Sequence, residues 1–111
     1  MELLAGGVLT RTAVRGDASL ITFNWIQPHH DEQPPHSHPF DQVSLVLAGT
    51  MEFDIAEDRY TVATGEVLQI PAGMPHTARV VGDDVAYNID IFAPVREDYL
   101  HLVAHQADAF E

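Results

Sequence analysis

The chain has 111 residues, of which 46 % are hydrophobic and none is cysteine. This length fits one domain, residues 1–111, with enough apolar residues for a packed core, and the lack of cysteine excludes disulfides and thiolate metal ligands. Seventeen acidic residues against five basic ones give a formal net charge of −12, which argues against nucleic acid and anionic membrane as partners.

Targeting signals are not evident in the sequence. No segment approaches the ~18 consecutive apolar residues of a membrane span, and the first residues, MELLAGGVLTRTAVRG, lack the pattern of a signal peptide. We therefore expect a cytoplasmic protein without a membrane partner.

Short β-rich runs separated by turn residues follow one another along most of the chain. They lie at 19–27, 43–49, 51–57, 59–63, 67–71, 77–82 and 85–92. Many short strands at this spacing are typical of an antiparallel sandwich or barrel. A helix is predicted only at 97–110, where Leu100, Val103, Ala104 and Ala107 follow a rough helical period.

The first run is apolar on both faces. Ile21, Phe23 and Trp25 alternate with residues that include Leu20 and Ile26. A strand of this kind is usually covered on both sides, so one face can pack against a second copy of the chain.

Two histidines stand one residue apart before the second run, in PPHSHPFDQVSLVLAG at 34–49. If the chain is extended from 36 to 42, then His36, His38, Phe40 and Gln42 share one face. Two imidazoles in this arrangement can bind one metal ion, although surface histidines also form such pairs by chance.

The run before the predicted helix carries polar residues on one face. Asn88, Asp90 and Phe92 alternate with two isoleucines, and an aspartate that points into a small barrel requires a partner for its charge. Pro94 ends the strand, and Arg96, which follows it, can bind a carboxylate through two parallel hydrogen bonds. Alternatively, Asp90 and Arg96 form a structural salt bridge, or both lie in solvent.

A second segment with a histidine follows at 65–80, GEVLQIPAGMPHTARV. Together the segments resemble the two signature motifs of the cupin superfamily, over residues 30–80. The resemblance implies an all-β fold, a jelly-roll β-barrel with a metal ion in its mouth, and a homodimer formed through N-terminal strands. It also implies a ligand set, which is His36, His38, Gln42 and His76.

The sequence departs from the cupin motifs at three positions. His30 replaces the opening glycine, Val80 the closing asparagine, and Gln42 the usual glutamate. A neutral glutamine leaves a divalent ion its full charge, which strengthens it as a Lewis acid and disfavours oxidation of iron. We therefore expect non-redox chemistry with one divalent ion, which is nickel, zinc, manganese or iron; a degenerate, metal-free barrel is the alternative.

A narrower resemblance lies in the run from Asp90 to Leu100, DIFAPVREDYL. It is similar to the small pectin-degradation cupins, which linearise 4,5-unsaturated uronates. The similarity implies that Asp90 and Arg96 are catalytic and that Phe92 and Arg96 contact a small anionic substrate; Asn88, on the same strand face, is expected to contact it too. The competing functions are an Fe(II) dioxygenase of the cupin type and a non-catalytic metal-binding or ligand-binding barrel.

Overall fold

The computed structural model describes residues 2–4 (backbone only), 9–30 and 33–106. The strands and the single helix of these residues are β1 (Glu2–Leu4), β2 (Leu9–Arg15), β3 (Leu20–Ile26), β4 (Asp41–Ala48), β5 (Thr50–Ile55), β6 (Asp58–Ala63), β7 (Val67–Ile70), β8 (His76–Val81), β9 (Ala86–Ala93) and a 3₁₀ helix (Glu97–Gln106). This helix is not long and apolar enough to cross a membrane.

The strands form two antiparallel sheets. The larger sheet has the order β1-β2-β3-β9-β4-β7 and the smaller one the order β6-β5-β8. The all-β prediction is confirmed, and every predicted run overlaps an observed strand. Within the described residues the two sheets are not hydrogen-bonded into one closed barrel; they are the two layers of a jelly roll.

The core lies between the layers and follows strand alternation. Met51, Phe53 and Ile55 of β5 are buried against Val46 and Ile70 of the larger sheet. The intervening Glu52 and Asp54 bind Arg59 and Arg79. Successive side chains of β5 point to opposite faces, so one face of the smaller sheet packs in the core and the other is charged.

The C-terminal helix differs from its prediction in type and in face. It is a 3₁₀ helix from Glu97 to Gln106, and the predicted continuation to 110 lies outside the described residues. Val103 is buried, but Leu100 and Ala104, which share its predicted helical period, are exposed. The less exposed positions are Tyr99, Leu102, Val103 and Gln106, so the packed face keeps a helical spacing of three and four residues but lies one residue earlier than predicted.

The sequence runs did not include β1 and β2. Strand β2 pairs with β3 along its whole length, from Leu9 opposite Ile26 to Arg15 opposite Leu20. Its sequence, LTRTAVR, carries two arginines and two threonines, so its apolar alternation is weak. This strand matters for function because it brings Arg11 to the inner face of the larger sheet, beside Asn24.

The turn between β4 and β5 depends on Gly49. Its φ is +81°, and a Cβ there would lie 3.1 Å from the Cα of Ala86. Any other residue would be strained both by the backbone conformation and by this contact.

Candidate metal centre and pocket

Three histidines from two segments meet at one point. One ring nitrogen from each of His36, His38 and His76 lies within 4.8 Å of the others. Backbone hydrogen bonds place two of them together: His36 N donates to His76 O at 3.0 Å, and His76 N donates to His36 O at 2.8 Å. The cluster therefore depends on a two-residue bridge between the loop before β4 and the start of β8.

The route by which His36 reaches the cluster differs from the prediction. Strand β4 begins only at Asp41, so the expectation of an extended strand from 36 to 42 was wrong. His38, Phe40 and Gln42 are buried, but His36 is exposed. It meets the others through its bridge to His76 and not through strand alternation.

A tight turn before β8 positions the third histidine. Met74 N donates to Pro71 O at 3.3 Å, and Gly73 N donates to His38 O at 2.8 Å. The turn includes Gly73, which has a φ of +78°. It ties the loop of His38 to the strand of His76.

Hydrogen bonds determine which ring nitrogen is left without a proton in two of these histidines, His38 and His76. Nδ1 of His38 lies 2.9 Å from Phe40 O, and Nδ1 of His76 lies 2.9 Å from Met74 O. A carbonyl oxygen only accepts, so each Nδ1 is the donor and each Nε2 of a neutral ring keeps its lone pair. His76 Nε2 is buried without a hydrogen-bond partner in the described part of the chain, as expected of a nitrogen directed at a cation.

Gln42 lies beside the lone pair of His38 Nε2. Its Oε1 is 3.2 Å from His38 Nε2, and both atoms are acceptors when His38 Nδ1 carries the proton. Two acceptors facing each other fit a shared cation. Three imidazole nitrogens and an amide oxygen suit a divalent first-row ion. These residues can therefore hold the divalent metal ion that the sequence predicts.

The charge state of the histidines also favours metal binding. His36 is exposed as a residue, but partial desolvation of its ring inside the cluster lowers its pKa, and the neighbouring His76 and His38 lower it further. Burial is also the main cause that lowers the pKa of His76. Neutral imidazole is the form that binds a metal, and the site holds these rings in that form.

Next to the histidines lies a buried network around one carboxyl group. Asn24 Nδ2 donates to Asp90 Oδ2 at 3.2 Å, and Asn88 Nδ2 donates to Asp90 Oδ1 at 3.0 Å. Burial raises the pKa of Asp90, while hydrogen bonds from Ser44 and Gln42 and the charges of Arg11 and Arg96 act in the opposite direction. Asp90 is therefore an acid whose proton affinity depends on the pocket around it.

Arg96 is held over aromatic rings. Its guanidinium carbon lies 3.7 Å from the Tyr99 ring centroid, 4.9 Å from that of Phe92 and 5.2 Å from that of Phe40. Its side chain is only 12 % exposed, and Nε donates to Asp98 Oδ1 at 2.9 Å. The salt bridge between Asp90 and Arg96, one of the alternatives, is not what this arginine forms.

One cavity of about 370 Å³ connects these groups. Almost all predicted site residues line it: His36, Gln42, His76, Asn88, Asp90, Phe92 and Arg96. His38 is buried beside the cavity, behind its lining. Sequence reasoning missed Arg11, Asn24 and Tyr99, which also line it; Asn24 had a signal, because it is a polar residue at an inward position of an apolar strand.

The comparisons with known proteins agree with this architecture. A family model described as "Cupin domain" matches residues 25–92, whereas no curated protein matches the chain.

Three solved structures illustrate the likeness. An RmlC-like cupin from Shewanella frigidimarina has 24 % identity and a TM-score of 0.75 over 85 % of this chain and 83 % of that one. KdgF from Halomonas sp. has 22 % identity and a TM-score of 0.72 over 82 % and 84 %. Protein BH2720 from Bacillus halodurans has 26 % identity and a TM-score of 0.71 over 78 % and 70 %. The first two likenesses concern the fold alone.

Proposed function

The chain belongs to the cupin domain family, and we propose that it is a metal-dependent, non-redox enzyme that converts 4,5-unsaturated uronates to linear 5-keto sugar acids. One observation carries the proposal: a buried carboxyl, Asp90, and a fixed guanidinium, Arg96, line the same cavity as the histidine cluster. Proton transfer, carboxylate binding and a cation site are the three functions that this reaction requires.

The metal site is assigned to His36, His38, Gln42 and His76. A bound divalent ion, nickel, zinc, manganese or iron, would supply positive charge that stabilises an enolate without any change of oxidation state. The neutral amide of Gln42 leaves that charge undiminished, which supports non-redox chemistry over the dioxygenase alternative.

Substrate binding is assigned to Arg96, Phe92 and Asn88. The guanidinium lies close to three aromatic rings and is anchored through Nε, which restricts the positions of its outer nitrogens. A planar fork of this kind matches the two oxygens of the uronate carboxylate. Phe92 is buried under the guanidinium and lines the cavity.

Asp90 is assigned to proton transfer. The carboxylate takes the proton of the C1 hydroxyl; the C1–O5 bond breaks, C1 becomes an aldehyde, and the electron pair leaves on O5 as a C4=C5 enolate. The same carboxyl then returns the proton to C4, which produces the ketone at C5 and leaves the net charge unchanged. Burial raises the pKa of Asp90, which moves it toward the range in which a carboxyl both accepts and donates protons.

The proposal is tested by following the absorbance of the conjugated C4=C5 bond of an unsaturated uronate monosaccharide. The rate should exceed the spontaneous rate, persist without oxygen when zinc is the ion, and consume no oxygen. If no plausible ion accelerates the loss of absorbance above the spontaneous rate, the uronate function is wrong.

We also propose that the active form is a homodimer. The outward face of the larger sheet brings apolar residues side by side: Ile21 lies opposite Ile91, Phe23 opposite Ile89 and Trp25 opposite Tyr87. The Trp25 and Tyr87 rings stack at 4.5 Å. Such a face is normally covered, and within residues 9–30 and 33–106 no strand or helix packs over it.

A further inference from the structure

We propose that Arg11 is a second anion-binding residue of the pocket, and that the pocket therefore prefers small acids with a carboxylate at each end over the matching monoacids. This inference concerns ligand recognition alone and goes beyond the proposed uronate reaction. It is carried by the position and the anchoring of the Arg11 guanidinium.

Arg11 is fixed in the same way as Arg96. Its Nε donates to Asn24 Oδ1, and its guanidinium carbon lies 4.8 Å from the Tyr99 ring centroid. Asn24 is in turn held by Thr22 and by Asp90. A side chain anchored at Nε and at a ring presents its outer nitrogens with little loss of conformational freedom when a ligand binds.

The outer nitrogens of Arg11 are available to a ligand. Its contacts with the described residues are the Nε hydrogen bond and the stacking on Tyr99. Neither contact uses the two terminal nitrogens, which are the donors of a bidentate carboxylate contact. A clamp between β2 and the C-terminal helix through Nε and the ring would therefore still leave both terminal nitrogens able to bind a carboxylate.

The spacing of the two arginines suits a six-carbon diacid. Both guanidinium carbons lie near the same ring centroid, at 4.8 Å and 3.7 Å, so they are at most 8.5 Å apart. The carboxyl carbons of an extended six-carbon diacid are roughly 6 Å apart, from ordinary bond lengths and angles. Both ends can therefore meet a guanidinium inside the cavity of about 370 Å³.

The distribution of charge supports the same ligand class. All five basic residues are arginines, in a chain of net charge −12. Arg59 and Arg79 bind acids on the outer face of the smaller sheet, and Arg15 is exposed at the end of β2. The other two, Arg11 and Arg96, line one cavity in which Asp90 is the only carboxyl among the described lining residues.

The test compares glucarate with gluconate, which differ in one terminal carboxylate, by calorimetric titration of the full-length protein at a fixed, measured metal content. Wild type should bind glucarate about tenfold more tightly or better, the scale of one charge-assisted contact. Arg11→Gln should bring the ratio of the two affinities to within about twofold, with the larger loss of affinity for glucarate. Arg15→Gln removes the same charge from the same strand outside the cavity, and should keep the wild-type ratio.

Two results would overturn the inference: equal binding of both acids by wild type, or an unchanged ratio in Arg11→Gln. An unchanged ratio with an equal loss of affinity for both acids would mark a structural role. If Arg11→Gln does not fold, Arg11→Lys keeps the charge without the planar fork and should still reduce the ratio. If the uronate assay fails, the preference for glucarate over gluconate can still be tested by itself. If the protein is active on uronates but Arg11→Gln keeps the wild-type affinity ratio, only the role of Arg11 is wrong.

Discussion

Replacing Asp90 with asparagine removes the acid of the pocket while keeping the shape of the side chain. Each carboxylate oxygen accepts from a different amide, Oδ1 from Asn88 and Oδ2 from Asn24. An asparagine has one oxygen, so in either orientation one of these buried amides faces an NH₂ group. The expected cost is about 1–3 kcal/mol for one buried donor without an acceptor.

This cost leaves the domain folded, because native proteins of this size are stable by about 5–15 kcal/mol. The melting temperature should fall by roughly 5–15 °C. Turnover of the unsaturated uronate should fall by about 10²-fold or more, since general acid–base catalysis contributes about 10²–10⁴-fold. The metal content should not change, because Asp90 is outside the proposed ligand set.

The control is Ser44→Ala. Ser44 accepts from Asn88 at 2.9 Å and hydrogen-bonds to the Asp90 carboxyl, so its loss also disturbs the network but keeps the acid. Both variants should be assayed at least 10 °C below their melting temperatures, by absorbance and circular dichroism. Turnover of Asp90→Asn within threefold of wild type would refute the proton-transfer role, and a comparable loss in Ser44→Ala would assign the effect to the network instead.

Four further predictions address the other residues of the site and the dimer. His76→Ala should lower the metal content of untagged protein from close to one equivalent, measured by elemental analysis; unchanged content would show that the ligand assignment is wrong. Gln42→Glu should bind the metal more tightly in a chelator competition and yet turn over more slowly, because a less positive ion stabilises an enolate less; faster turnover would contradict this reasoning. Arg96→Lys should raise KM by about tenfold or more with a smaller change in kcat, because an ammonium cannot reproduce the planar fork; an unaltered KM would exclude a carboxylate clamp. Trp25→Glu should convert a dimer to a monomer in sedimentation experiments; a wild-type monomer would remove the dimer proposal.

The sequence predicted most of the fold because strand alternation and turn residues are local signals. Met51, Phe53 and Ile55 are buried as their spacing indicates, and Gly49 has the positive φ that its turn requires. The histidine cluster was also predicted, since two motifs in the correct order specify one site. The single-domain organisation and the cytoplasmic location stay predictions.

The errors arose where the relevant contacts are long-range. His36 reaches the cluster through a bridge to His76, forty residues later, and not through the strand geometry assumed for 36–42. Arg11 enters the pocket only because β2 pairs with β3 in a register that places it opposite Asn24. No local pattern in LTRTAVR distinguishes Arg11 from Arg15 four residues later, although one lies in the cavity and the other is exposed.

The surroundings of Gln42 explain why an amide suits this position better than the usual acid. Its oxygen lies beside His38 Nε2, and the amide also hydrogen-bonds to the Asp90 carboxyl, which assigns its NH₂ group to that contact. A glutamate at position 42 would place two buried carboxyl groups in contact, which would raise the proton affinity of at least one of them and remove a donor from Asp90. The pocket thus keeps one acid, at position 90 on β9, where it can accept and return a proton. In the proposed function the neutral oxygen of Gln42 would bind the cation, so an amide at position 42 and an acid at position 90 depend on each other.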